Sequence, residues 1–324
     1  MIDLITLVKP LSDEEVASIV ELNDLQTNSA DGVVYYDNMV TKNLTQQKGV
    51  FIRIETSQKL KVECSLHKYF NELLGDGNRS NHNLFYMSEA KRSLDNLLWE
   101  KGIDSDKLRV YNYEIGLNLN MSKDCIKYLD KMRSIGPIGG EKQMYVNPRY
   151  KDERVRTTVF HNHTRKYFKA YDKVFEMKDR KRRYIPDGNI LRIETAYRRL
   201  DNYYVSDFFS PDSLKKLIES FFRDWRTLQF EQDIITPKGT GRARQHLCLE
   251  IMQKGEITVL QQAKERHTAG ALKDWEYRNI REFITREWNA IKKDISFIQS
   301  PEEVEFRELV KVNYTLLKHD ENNN

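Results

Sequence analysis

The chain has 324 residues, with 53 Lys and Arg against 49 Asp and Glu, a formal charge of +4 and a pI near 8.7. That length buries a sizeable core and favours two domains over one, and a mean hydropathy of −0.70 with no apolar run near ~18–20 residues excludes a membrane-spanning helix. Three widely spaced cysteines, Cys64, Cys125 and Cys248, contain no CxxC pair, which argues against a disulfide framework or a zinc site and fits a reducing cytoplasm.

Along the chain, the opening Met1-Ile2-Asp3 continues into apolar residues without a long h-region or cleavage site, so it predicts a first strand and not a signal peptide. A hairpin at Thr56 to Lys59 leads into a strand whose Leu60, Val62, Cys64 and Leu66 share one face, leaving Lys61, Glu63, Ser65 and His67 on the other. From Arg109 to Leu119, Tyr111, Tyr113, Ile115, Leu117 and Leu119 alternate with Asn112, Glu114, Gly116 and Asn118. A helix is expected around 122 to 133, and Arg133 to Pro148, with three glycines and two prolines, reads as an exposed loop before the strand entering Thr157. Around Lys166 to Phe175, Phe168, Ala170 and Val174 oppose Tyr167, Lys169, Tyr171 and Lys173; from Ile190 to Tyr197, Leu191, Ile193 and Thr195 oppose Arg192, Glu194 and Ala196. If these strands form one sheet with helices on its apolar side, Glu63, Glu114, Tyr171 and Glu194 all emerge on the opposite side.

Beyond Ser210-Pro211 the period becomes helical. Leu214, Leu217, Ile218, Phe221 and Phe222 form an apolar stripe, and helical stretches broken at Gly255 and Gly270 follow. Two short amphipathic runs around His246 to Lys264 suit a helix-turn-helix or a plain helical packing domain. The expected division is residues 1–205, residues 206–318, and a disordered polar tail at 319–324.

Charge is focused. Residues 149–183 hold 13 Lys and Arg against 5 Asp and Glu, a local +8 that leaves the remainder at about −4. Arg165, Lys166, Tyr167, Lys169 and the run Lys181-Arg182-Arg183 are candidates for contacting a polyanion, although charge runs are often simply solvated. Tyr171 lies in the middle of this strip as a potential nucleophile, and Lys173 two residues on is placed to favour its ionised form. Glu114 and Glu194, with Glu63 and His67 as further candidates, make an oxygen-rich set suited to Mg²⁺ or Mn²⁺. Each carboxylate could instead pair with Lys or Arg across the strands, and Tyr171 could be ordinary packing. The chain's one His-x-His, His161-Asn162-His163, is read as a hairpin turn ahead of Tyr171.

The order of Met1-Ile2-Asp3, Val62-Glu63 followed by Ser65-Leu66-His67-Lys68, the Glu114 strand, Tyr171-Asp172-Lys173 and Leu191-Arg192-Ile193-Glu194 resembles the filamentous-phage replication initiators, the gene II type rolling-circle proteins also found on plasmids. The resemblance runs over residues 1–205. It implies a metal-dependent endonuclease whose tyrosine, matched here by Tyr171, nicks an origin on single-stranded or supercoiled DNA. The tyrosine keeps the 5′ end as a phosphotyrosine and frees a 3′ hydroxyl for synthesis with a host helicase and polymerase. The expected fold is α+β, a largely antiparallel sheet with helices on one face as in nicking endonucleases, followed by a helical C-terminal domain. No GxxxxGK[ST] phosphate loop occurs, consistent with transesterification that needs no nucleotide. A non-catalytic DNA-binding protein of a phage or plasmid is the alternative, and an RNA-binding regulator a third.

Overall fold

The period-two pattern becomes a ten-stranded sheet in the computed structural model, which describes residues 1–30, 33–38, 49–137, 139–146, 154–159, 163–200 and 203–322. The strands that concern the site are β1 (Ile2–Pro10), β2 (Gln26–Ala30), β3 (Val33–Asp37), β4 (Val50–Glu55), β5 (Lys59–Ser65), β6 (Arg109–Met121), β7 (Met132–Ile135), β8 (Lys142–Gln143), β9 (Tyr145–Val146), β10 (Val155–Thr157), β11 (Lys166–Asp172) and β12 (Asn189–Tyr197). Their order in the large sheet is β2-β3-β4-β5-β1-β6-β12-β11-β10-β9, with every neighbouring pair antiparallel. The short β7 and β8 belong to a separate three-stranded sheet with Gln229–Phe230.

The expected alternation holds at the centre. Tyr113, Ile115, Leu117 and Leu119 of β6, Phe168 and Ala170 of β11, and Leu191 and Ile193 of β12 are buried in one core. Helices Leu66–Leu73, Met87–Glu100 and Pro211–Arg226 pack into that core. The last of these starts as its sequence dictates: Ser210 caps it by accepting from the Ser213 amide, and Pro211 occupies the first turn where no N–H is missed. Its stripe ends in Trp225, whose indole N–H donates to Thr195 Oγ1 at 3.0 Å and fastens the helix to β12.

That attachment moves the domain boundary. The compact units are Met1–Phe230 with Glu305–Asn324, and Glu231–Val304, so the break expected at 205/206 falls at 230/231. Helix Pro301–Asn322 returns Phe306, Val310 and Leu317 to the core of the first unit. It also runs as helix through positions 319–322, which the sequence suggested were a disordered tail. Two further expectations change in the same unit. The helix proposed for 122 to 133 is only Ile126–Leu129, and the loop proposed from Arg133 contains β7, β8 and β9.

The second unit, Glu231–Val304, has a small core of its own around Cys248, Ile251, Val259, Phe283, Ile284 and Trp288. Helices Arg242–Lys254 and Glu256–Thr268 meet at Gly255, whose φ of 85° suits glycine. Among the described residues no helix is long and apolar enough to cross a membrane.

Candidate functional site

Three central strands bring the candidate residues together. Lys169 of β11 lies opposite Glu194 of β12, Tyr171 opposite Arg192, and Glu194 in turn opposite Gly116 of β6, next to Glu114. With period-two side chains, this register gathers Glu114, Lys169, Tyr171, Arg192 and Glu194 on one face. Gly116 has a steric purpose there, because a Cβ at that position would collide with the Arg192 guanidinium.

The groups form one charge network. The Lys169 ammonium lies 3.1–3.2 Å from both Glu114 oxygens and 2.6 Å from Glu194 Oε2. Arg192 donates Nε–H to Glu194 Oε1 at 2.6 Å and reaches Asp3 Oδ2 at 2.5 Å. Asp3 also accepts from Asn81 Nδ2 at 2.5 Å and from the Ser65 hydroxyl. Tyr171 donates its hydroxyl to Glu194 Oε1 at 3.0 Å. A cavity of about 550 Å³ opens beside the network, lined by Asp3, Lys68, Glu114, Lys169, Tyr171 and Glu194 among others.

Burial and partners set the protonation states. Burial works against the charge of Glu194, but Lys169 and Arg192 overcome it and hold the carboxyl below its ordinary range. Glu114, with Lys169 as its counter-charge and Glu194 as a like charge nearby, is pushed upward chiefly by burial. Burial also opposes the charge on Lys169, yet Glu114 and Glu194 keep its ammonium protonated well above the usual range. Tyr171 is driven up by burial and by the Glu194 charge, so its phenol is harder to ionise than a free tyrosine.

The other sequence candidates are placed differently. Lys173 begins helix Lys173–Asp179 and does not extend the strand, because Asp172 caps that helix by accepting from the Phe175 amide at 2.9 Å. Its ammonium lies 5.9 Å from the Tyr171 ring centre and pairs with Glu176 at 2.7 Å. His67 is not on the strand face either. Ser65 caps helix Leu66–Leu73, and His67 is buried against Phe85 with ring centres 4.3 Å apart, its Nε2 2.6 Å from Asn83 Oδ1. Burial holds that imidazole neutral, and its ring is packed in the core against Phe85. Glu63 pairs with Lys61 at 3.4 Å on β5, with β1 between it and the Glu114 strand.

Of the basic candidates, Lys166 faces the helix-covered side and pairs with Asp224 at 2.5 Å. Tyr167 sets its hydroxyl 3.4 Å from Glu114 Oε1 and stacks under Arg198 at 5.7 Å. Arg165, Lys181 and Arg183 are exposed, while Arg182 is partly buried. The Arg182 amide closes the end of helix Lys173–Asp179 by donating to Met177 O at 2.9 Å, with Lys181 at φ 50°. His163 is exposed in a turn, and His161 lies outside the described residues.

Glu114 and Glu194 are the hard oxygen donors that Mg²⁺ or Mn²⁺ takes, but Lys169 now bridges them, so they fit such an ion only with that side chain displaced. Among the described residues no group of three or more His, Cys, Asp or Glu is arranged to hold a metal. Sequence reasoning did not give a site role to Asp3, Asn81, Lys68 or Arg192. The signal for Arg192 was present, since it shares the Glu194 face in the alternation. No protein-family model matches this chain, and no curated protein matches it significantly.

Proposed function

We propose that the chain nicks and rejoins one strand of DNA at a replication origin, single-stranded or supercoiled, with Tyr171 as nucleophile, in the manner of a rolling-circle initiator working beside a host helicase and polymerase. The observation that carries this reading is the Tyr171 hydroxyl donating to Glu194 in a polar cavity at the centre of the basic strip. In the first step the Tyr171 oxygen bonds to phosphorus and its proton passes to Glu194. The bond from phosphorus to the 3′ oxygen breaks, and that oxygen takes up a proton to become a 3′ hydroxyl. The 5′ end is left on the tyrosine, and the reverse step reseals the strand. Arg192 and Lys169 orient Glu194 and offset charge near the phenolate. Mg²⁺ or Mn²⁺ bound by Glu114 and Glu194 would neutralise charge on the phosphate.

A second reading has its own support. Glu194 already accepts from Arg192 and Lys169, which weakens it as a base, so a DNA-binding protein without cleavage is the competing account. Wild type and Tyr171→Phe are to be incubated with labelled DNA from the same element, with Mg²⁺, Mn²⁺ or EDTA, and resolved on denaturing gels. A metal-dependent covalent adduct that vanishes in Tyr171→Phe supports nicking. Binding with no adduct and no nick, on DNA containing the origin, overturns it in favour of the binding protein.

A further inference from the structure

Five of the carboxylates around the cavity are held by neighbouring cations, while Asp179 at its edge is exposed. Asp3 is held by Arg192, Glu194 by Arg192 and Lys169, Glu114 by Lys169, Glu176 by Lys173 and Arg180, and Asp172 by Arg154. Lys68 is different. Its side chain lines the same cavity, yet its ammonium makes no hydrogen bond or ion pair among the described residues, although the side chain is partly buried. The fold fixes this amine at the cavity: Ser65 accepts from the Lys68 amide at 3.3 Å and starts the helix that carries it. The same cavity is lined by Lys173, only 2% exposed, at the head of helix Lys173–Asp179. One buried unsatisfied atom belongs to the same cavity lining. Asn81, 3% exposed, spends its amide N–H on Asp3 and leaves Oδ1 buried without a partner.

We propose that Lys68, in the cavity that Tyr171 also lines, is the seat for a phosphodiester group of a nucleic-acid strand, holding it beside the Tyr171 hydroxyl. The identity of the strand rests on the nicking reading; the phosphate chemistry rests on Lys68. An ammonium with three free N–H donors and no carboxylate at ion-pair distance suits a phosphate oxygen. The other cavity amines are already committed, Lys169 to Glu114 and Glu194 and Lys173 to Glu176, so an incoming anion gains most at Lys68. Arg182 is near enough to act on the Lys68 charge, and Arg180 lines the cavity itself. Burial comes first among the causes that depress the Lys68 amine, Asp3 opposes, and Arg182 adds to the depression. A bound anion reverses that balance.

The test is fluorescence anisotropy of full-length protein with labelled single-stranded DNA and RNA oligonucleotides across a salt series. The variants are Lys68→Met, Lys68→Arg and, as a distant control on helix Met87–Glu100, Lys91→Gln. The expected result is weaker strand binding by Lys68→Met, with the slope of log affinity against log salt shallower by about 0.7, the increment for one single-strand phosphate contact. Lys68→Arg restores the slope, and Lys91→Gln leaves it as in wild type. Equal affinity and slope in Lys68→Met and wild type overturns the proposal, as does Lys68-dependent binding of inorganic phosphate with no Lys68-dependent binding of a strand. Thermal melts keep the test valid, because Met replaces a charged side chain without loss of bulk and the variant is expected to fold. A slope change without any covalent adduct keeps the phosphate seat and removes nicking, whereas an adduct with an unchanged slope does the reverse.

Discussion

Two interior strands of the large sheet, β12 and β5, present the same kind of polar strand face and use it in opposite ways. On β5, Glu63 and Lys61 pair at 3.4 Å with side chains 40% and 37% exposed. On β12, Glu194 and Arg192 pair at 2.6 Å with side chains 4% and 1% exposed, and Asp3, Lys169, Glu114 and Tyr171 extend the network across four strands. Residue type and alternation are alike; neighbours on both sides are what differ. A carboxylate on a strand face becomes part of a site when flanking strands and a nearby helix remove its water. Only then does each charge depend on a specific partner.

The sharpest way to break this contrast is Arg192→Met. Taking one partner from a buried ion pair leaves the other uncompensated and costs about 3–5 kcal/mol. Asp3 and Glu194 would both lose their guanidinium, so urea denaturation is expected to show a loss of that size. A loss under about 1 kcal/mol would mean that the Arg192 network is solvated like the pair on β5 and that the contrast is false.

A second test uses protonation. Lys173 is buried, and its amine is lowered to about 8, first by burial, with Arg192 and Lys68 adding to the shift and Glu176 opposing it. His82 also feels its charge, while Tyr171 sits under it and Asp179 and Arg180 line the same cavity. Because the folded value lies below the ordinary lysine value of 10.5, the unfolded chain binds more protons between pH 8 and 10.5. The sign follows: the penalty of a charged buried amine is present below about pH 8, and stability rises with pH through the window. Relative to Lys173→Met, wild type is expected to gain on the order of 3 kcal/mol between pH 7.5 and 10 in urea unfolding. A pH-independent difference would place Lys173 in solvent.

Much of this was legible in the residues. The alternation in Arg109 to Leu119 and in Ile190 to Tyr197 placed Glu114 and Glu194 on the right face, since a period of two is a local property. Asp3 was not legible as a partner of Arg192, because that contact needs β1 to insert between β5 and β6, a choice made by long-range pairing. His67 and Lys173 were misplaced for a local reason that was available. Ser65 and Asp172 are capping residues, and each ends its strand by starting a helix, so the alternation stops at them. The boundary at 230 followed from Trp225 reaching Thr195, a contact that an amphipathic stripe alone does not reveal.

The smallest expected effect gives the contrast its lower limit. Glu63→Gln removes a carboxylate whose counter-charge, Lys61, is itself well exposed and also lies 5.5 Å from the Phe51 ring. Both members of that pair can return to water, so the lost attraction is largely replaced by hydration, and exposed pairs of this kind contribute about 0–1 kcal/mol. Chemical denaturation of Glu63→Gln is expected to stay within about 0.5 kcal/mol of wild type, with the difference shrinking further as salt is raised. Glu63 is not among the residues that line the cavity, so strand binding and any adduct at Tyr171 are expected to be unchanged. A loss of several kcal/mol, or a loss of the adduct, would mean that the polar face acts as one unit from β5 to β11, and the charge network would then be drawn one strand wider.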